Sequence, residues 1–310
     1  MQTHAVDMKF NDSDSWAILS EIEKSIKSKV DAVGTPLKDW DIQINFGIKT
    51  GFNDAFIIDS QTRDEILSKC TCEYERVRTT EIIRPILRGR DIKRYSYQYA
   101  GLYLISTFPA KGYEIDDYPA VKDYLLRFGI ERLEQTGKEY IINGERVKAR
   151  KKTSNKWYET QDSISYWDLL SQPKIIWGEI SDKSKFCIDL HGRYVPEATT
   201  FMLSGENLIY LLAFLNCSVS EYLFSIIGTT TGVGTVRWKK YKILELPVPK
   251  SIPNDLYSQL LEVCSQTIES SDNDSNESKI NSIIYQVYGL SEDEIEFIES
   301  KIYPSKHSSL

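Results

Sequence analysis

Lys49 and Thr50 stand between two glycines in GIKTG, preceded by INF and followed by FNDAFIID. Glycine, lysine and threonine together suit a phosphate cradle. The phosphate loop of a nucleoside triphosphatase requires GxxxxGK[ST], because its lysine must follow the second glycine to reach the terminal phosphates. Here the lysine precedes Gly51, and a second strand pattern follows where a helix is needed. The glycines are therefore read as permitting positive φ in a tight connection, with the two flanks forming a glycine-turned strand pair. Lys49, Thr50 and Asn53 then occupy a polar turn.

Other catalytic spacings are absent. The chain has no G-x-S-x-G elbow, HExxH or GxGxxG. An adenine methyltransferase would need a glycine-rich cofactor loop and an Asn-Pro-Pro-Tyr motif, and the sequence has neither. Two ExK strings, Glu277-Ser-Lys279 and Glu299-Ser-Lys301, resemble part of a metal-dependent nuclease site, but both fall in acidic helical sequence without the strand context that such a site requires. Asp116-Asp117 reads as an exposed turn before Tyr118-Pro119. The five cysteines include no CxxC and the three histidines are far apart, which argues against a disulfide framework or a zinc site and for a cytoplasmic protein. No catalytic or metal-ligating residue is assigned, and no cofactor is expected in this chain.

Basic clusters offer a different chemistry. RGRDIKRY holds Arg88, Arg90, Lys93 and Arg94; RVKARKKTSNKWYE holds Arg146, Lys148, Arg150, Lys151, Lys152 and Lys156; GTTTGVGTVRWKKYK joins a Gly/Thr-rich loop to Arg237, Lys239, Lys240 and Lys242. Cations neutralise phosphates, hydroxyls and backbone amides hydrogen-bond them, and arginine reads guanine bidentately. Each cluster can also be an ordinary solvated loop. The whole chain carries −7, yet residues 1–39, 40–250 and 251–310 carry −2, +3 and −8, so the acidity is concentrated at the end. Trp157 and Trp238 stand near these clusters, where core packing competes with a contact to a nucleic-acid backbone.

Hydrophobic periodicity supplies the elements that must position these groups. Trp16, Leu19, Ile22, Ile26, Val30 and Val33 recur at helical spacing, with Ser13 or Asp14 available as a cap; this stripe packs on the body or on a neighbouring domain. A period of two marks a strand at Ile42–Phe46, short strand-like runs follow at Ala55–Ile58, Leu102–Ser106, Lys174–Trp177, Phe186–Leu190 and Phe201–Leu203, and CIDLHGRYV suggests a hairpin turning at His191-Gly192. A helix begins at Pro119, and ENLIYLLAFLN is apolar almost all round, as in a buried helix. After LPVPKSIP the pattern is helical and acidic, with a polar linker SSDNDSNES, a stop at Gly289 and a Ser291/Glu294 capping box. No run reaches the roughly 18–20 apolar residues of a membrane span. The expected fold is α+β: an amphipathic connector helix over 1–38, a mixed β-sheet body with packed helices over 39–250, and a helical acidic tail over 251–310.

In this order GIKTGFNDAFIID, IIRPILRGRDIKRY, YPAVKDYLLRFGIERLEQ, WYETQ, PKIIWGEIS, FCIDLHGRYV, YLLAFLNCSVSEYL, LPVP and INSIIYQVYGLSEDEIEFIE resemble the C-terminal target-recognition (specificity) domain of Eco57I/TaqI-like type IIG restriction–modification enzymes. The resemblance runs from Trp16 to Glu299. It implies sequence-specific recognition of double-stranded DNA on behalf of an adenine methyltransferase or endonuclease domain outside this chain. S-adenosylmethionine and Mg would belong to those domains. It also makes Lys49, Thr50, Asn53, Arg88, Arg90, Arg150, Lys151, Lys152, Arg237 and Lys239 candidate DNA contacts, while EQTGKEYIINGE departs from the arginine that relatives often carry there. Two other classes stay open: a nuclease with an unrecognised carboxylate site, and an interaction subunit docking through its acidic helical tail.

Overall fold

Apolar residues of both parities fill the strands Lys174–Gly178, Phe186–Asp189 and Thr200–Gly205, so neither face of their sheet can meet water. In the computed structural model, which describes residues 19–227, 229–230, 235–270 and 274–303, this sheet separates two hydrophobic cores. Its antiparallel order is Phe186–Asp189, Lys174–Gly178, Thr200–Gly205, Ile42–Phe46. Ile175, Trp177, Phe186, Ile188, Phe201 and Leu203 enter one core, whereas Ile176, Cys187 and Met202 enter the other.

The first core is roofed by helices from both ends of the chain. Glu21–Val33 contributes Ile26 and Val30, and the apolar helix Leu208–Asn216 is buried along nearly its whole length, as its composition predicts. Ser218–Ile227, Asn254–Glu269, Asp274–Tyr288 and Glu292–Ile302 complete it. The second core lies under a mixed sheet ordered Val195–Pro196, Ile83–Leu87, Leu102–Ile105, Ile57–Asp59, whose first pair is parallel. Helices Ser60–Ser68, Glu73–Ile82 and Pro119–Leu126 pack on it. The fold is α+β. Among the described residues no single helix is long and apolar enough to cross a membrane; the apolar pair Leu208–Asn216 and Ser218–Ile227 is bent by 65°.

Several local expectations change. The leading helix starts at Glu21, because Ser20 accepts the Glu23 N–H and Glu23 returns the bond in a capping box. Ser13, Asp14 and Trp16 lie outside the described residues. Its stripe packs into this chain's own core, and only Val33 is left exposed. INFGIKTGFNDAFIID is not a strand pair: Ile42–Phe46 joins the central sheet, Asn53–Phe56 is a short helix, and Ile57–Asp59 joins the second sheet. FCIDLHGRYV likewise turns at Gly192 without closing a hairpin, since Phe186–Asp189 and Val195–Pro196 enter different sheets. Asp189 holds that corner by accepting the N–H groups of His191, Arg193 and Tyr194, and it pairs with buried Lys174 at 2.7 Å. The later part of the polar run SSDNDSNES already belongs to the helix Asp274–Tyr288.

Several elements were not expected, among them the helices Ser60–Ser68 and Glu73–Ile82. Ile83–Leu87 is a strand despite Pro85, whose missing N–H is tolerated beside the short neighbour Val195–Pro196. Glu139–Ile142 and Glu145–Lys148 form a hairpin through Asn143 and Gly144, both at positive φ. This is the two-residue turn that Asn-Gly favours.

Candidate nucleic-acid interface

The turn Lys49–Gly51 and the basic run after residue 145 are a hundred residues apart in sequence but adjacent in space. Arg150 joins them. Its Nη1 donates to Thr50 O and Glu159 O, both at 2.7 Å, its Nε to Leu133 O at 2.7 Å, and its Nη2 to Trp157 O at 2.6 Å. The residue is 1 % exposed. Burial, then the neighbouring Arg132, lowers its pKa to about 10 against the pull of Glu159, so it stays charged at neutral pH. Expected as a phosphate or base contact, Arg150 is instead an internal clamp with no donor turned outward.

Around this clamp lies an open hollow of about 490 Å³ lined by Gly51, Arg132, Arg146, Lys148, Lys151 and Gln161, with Arg150 at its floor. Its charged lining is entirely cationic. Arg132 rests over the Phe52 ring at 3.8 Å and donates to Lys148 O at 3.0 Å, fixing the base of the hairpin. Gly51 has φ of +76°, so the turn uses the conformation glycine favours. Thr50 is buried: its hydroxyl donates to Asn53 Oδ1 at 2.7 Å and accepts the Phe52 N–H at 3.0 Å. It shapes the turn and does not face a phosphate. Lys49, Asn53, Lys151 and Lys152 are exposed.

A second hollow, also about 490 Å³, takes Arg90 and Lys93 of the first basic cluster and Thr235 of the third, with Glu179 and Asp182 in its lining as well. Gly89, Arg90 and Lys93 line one side, and Gly178–Asp182, Lys185 and Thr235 the other. Val236–Arg237 pairs with Ile180–Ser181, which brings the third cluster here. The cations are only partly available. Arg88 is half-buried and holds Asp91 with Nε and Nη2 at 2.9 and 2.8 Å, a bond that raises its pKa. Arg237 pairs with Glu179 at 3.0 Å, and Arg94 turns inward to Glu277 and Glu221. Arg90 and Lys93 are exposed, and Lys239 is half-buried. Most of the Gly/Thr-rich loop, Gly228 and Thr231–Gly234, lies outside the described residues. Trp238 belongs to the core, stacked on Phe224 at 4.0 Å, and Trp157 is half-buried against Tyr158.

The GIKTG segment connects the two hollows. A Cβ at Gly47 would lie 1.9 Å from Glu197 O, so this glycine is required for close approach to the Glu197–Thr200 stretch, whose Thr199 lines the second hollow. Four residues later Gly51 lines the first. Four extended residues span at most about 14 Å. Arg132 was not singled out from the sequence, and Arg146 and Lys148 were named in a basic cluster but not as DNA contacts. The available signal was Asn143-Gly144 between YII and ERVK, which marks a hairpin and so aligns Arg146 and Lys148. The ExK strings serve structure: Glu277 pairs with Arg94, and Glu299 accepts from Tyr285. Among the described residues no group of three or more His, Cys, Asp or Glu side chains is placed to hold a metal.

Comparison with known proteins identifies the family of the chain. The family model of the TaqI-like C-terminal specificity domain matches residues 84–248. The type II methyltransferase M.BstVI of Geobacillus stearothermophilus is 25 % identical over 310 residues, covering 97 % of this chain and 49 % of that protein. M.PaeR7I, a type II methyltransferase of Pseudomonas aeruginosa, is 22 % identical over 290 residues, covering 92 % of this chain and 44 % of that one. The chain thus spans about half the length of the curated relatives it matches. Among solved structures, the type IIL restriction–modification enzyme MmeI in complex with DNA shares the fold with a TM-score of 0.56 and 11 % identity, over 89 % of this chain and 37 % of that one.

Proposed function

Since the chain belongs to the family of TaqI-like C-terminal specificity domains, we propose that it recognises a double-stranded DNA target and presents that duplex to an adenine methyltransferase or endonuclease domain outside its span. The observation that carries this reading is the hollow of about 490 Å³ with a wholly cationic charged lining, formed where the GIKTG turn, Arg132 and the hairpin meet. A duplex carries one negative charge per roughly 1.7 Å of axis, so a concave basic surface adjoining exposed lysines suits its backbone. Lys49, Lys151 and Lys152 dock phosphates and set register; Arg90 and Lys93 do so at the second hollow, and Lys239 follows the strand Val236–Arg237 that borders it. Arg88 and Arg237 reach DNA only if they leave Asp91 and Glu179.

Catalysis belongs to the segment that the relatives have beyond this chain's span, and S-adenosylmethionine and Mg act there. Such an assembly works on the cell's own DNA, which fits a cytoplasmic protein. Proton and methyl transfer need no group from this chain, whose part is to position the duplex so that one adenine can be flipped into the partner's site.

Titration of the full chain with a 30-base-pair duplex at several salt concentrations tests the reading. Neutralising about five phosphates gives a slope of log K against log salt of roughly −4 to −5. Replacing both Lys151 and Lys152 by alanine makes the slope shallower by about two and weakens binding to every sequence alike. A flat salt response would sink the phosphate assignments.

A further inference from the structure

The hairpin Glu139–Lys148 has two unlike faces. Its register pairs Glu139 with Lys148, Tyr140 with Val147, Ile141 with Arg146 and Ile142 with Glu145. Cross-strand partners share a face and successive pairs alternate. Tyr140, Ile142 and Val147 are half-buried on the inner side, and the Tyr140 hydroxyl donates to Glu134 at 2.8 Å. Ile141, Arg146, Glu139 and Lys148 stand exposed on the outer side; Ile141 is 71 % exposed and the Arg146 side chain 74 %.

A two-stranded ribbon is marginal by itself in water. This one is fastened at its root by Gly137 N–H to Arg150 O, Ala149 N–H to Lys138 O and Arg132 to Lys148 O. Asn143 and Gly144 close its tip in a tight turn. The result is a projection braced at its root, beside a cationic hollow whose wall includes Arg146 and Lys148.

We propose that this ribbon enters the major groove of the target duplex, with the cross-strand pair Ile141 and Arg146 reading base edges. The proposal rests on the DNA-recognition reading above and names the element that supplies sequence preference. The major groove, about 12 Å wide, admits a two-stranded ribbon. With the hollow's cations on the phosphate backbone, the ribbon's outer face turns toward the bases. An arginine there donates two parallel bonds to guanine O6 and N7, and an apolar side chain meets the thymine methyl. Glu139, 3.6 Å from Arg146, holds the guanidinium near its working position and is released or retained as the base requires. The excess of positive charge around the ribbon favours a duplex over a protein partner.

The test uses the full chain with a pool of duplexes carrying a randomised core, sequencing the bound fraction. The wild-type chain enriches a defined motif. Ile141→Ala and Arg146→Ala each lose preference by about tenfold at one or two base pairs and keep it elsewhere, as expected of a lost base contact. Ile141→Val, which keeps strand propensity and an apolar branch, retains most of the preference, so the loss in Ile141→Ala reports the shortened side chain and not an unfolded ribbon. Lys151→Ala lowers total binding without altering the motif. If both ribbon variants enrich the wild-type motif with undiminished weight at every position, the proposal is overturned and the ribbon serves another contact, such as the catalytic segment. If the wild-type chain binds duplexes without preference, the recognition reading itself fails.

Discussion

Arg150 and Lys151 are neighbours with opposite tasks, and the difference lies in where each backbone position points. Arg150 engages four carbonyls from the turn at Thr50, the end of the helix Ile130–Leu133 and the loop at Trp157 and Glu159. Its removal takes their donor from the carbonyls of Thr50, Leu133 and Trp157, each at a cost of roughly 1–3 kcal/mol before relaxation, while Glu159 O keeps the Gln135 side-chain N–H at 3.1 Å. Arg150→Ala should therefore destabilise the chain by about 3–5 kcal/mol in urea unfolding, and Arg150→Lys should recover little, because one ammonium cannot span a guanidinium's fork. Lys151→Ala should stay within about 0.5 kcal/mol of wild type. An Arg150→Ala variant of unchanged stability and lost DNA affinity would restore the surface assignment. Six cations in RVKARKKTSNK give no sign of which one turns inward, because that choice follows from carbonyls supplied by three distant segments. Thr50 was misread for the same reason: its burial depends on the chain folding over it.

Elements whose pattern is complete within their own residues were readable, and those defined by a distant partner were not. The helix Leu208–Asn216, apolar all round, and the capping box of Ser291 with Glu294 needed only local sequence. The apparent strand pairs at GIKTG and HGRY misled, because two consecutive strand-like runs bounded by glycine look alike whether they pair or part into separate sheets. The hairpin at Asn143-Gly144 shows the converse, a strong local signal given too little weight beside a break in the family pattern. Glu294 carries a role that no capping rule reveals: besides receiving the Ser291 N–H, it accepts from Ser25 and Lys29 of the leading helix, both at 2.7 Å. Burial opposes its ionisation, yet Lys29, Ser291 and Ser25 together hold its pKa at about 2, below the ordinary 4.5. A depressed carboxyl stabilises the fold fully above its unfolded value and loses that contribution as pH falls. The stability gap between wild type and Glu294→Gln should therefore be constant above about pH 5 and close between pH 4.5 and 2, read from urea midpoints across that range. A gap independent of pH would mean that the glutamine keeps the helix junction by hydrogen bonding alone.

At the scale of the whole molecule, a division into connector, body and tail follows charge and linker composition, while burial follows a different line. Residues from the leading helix, the central sheet and the closing helices share one core: Ile26, Val30, Trp177, Phe214, Leu260, Cys264, Ile280, Ile284 and Ile298 are each at most 1 % exposed. Polar bonds cross the same boundary, with Ser218 N–H on Asn281, the Tyr288 hydroxyl on Pro247 O, and Arg94 on Glu277. The acidic residues of the last sixty thus work partly inward, on Arg94 and Lys29, which weakens the case for the tail as a free docking arm. Sequence alone separates these segments because an acidic outer face and a polar linker look the same on an appendage as on the lid of a core. A chain ending at residue 250 distinguishes the two. Such a fragment loses Leu260, Ile280, Ile284 and Ile298, each contributing on the order of 1.5–3 kcal/mol by burial, so together they match a large part of a typical domain stability of about 5–15 kcal/mol. It also bares the apolar surface of Leu208–Asn216 to water and leaves Arg94 without Glu277. The fragment should aggregate or melt without a cooperative transition, whereas the full chain melts in one step. Cooperative melting of the fragment within a few degrees of the full chain would make the closing helices an appendage, and the shared core would then contribute little to holding the central sheet, whose Gly178 lines the second hollow.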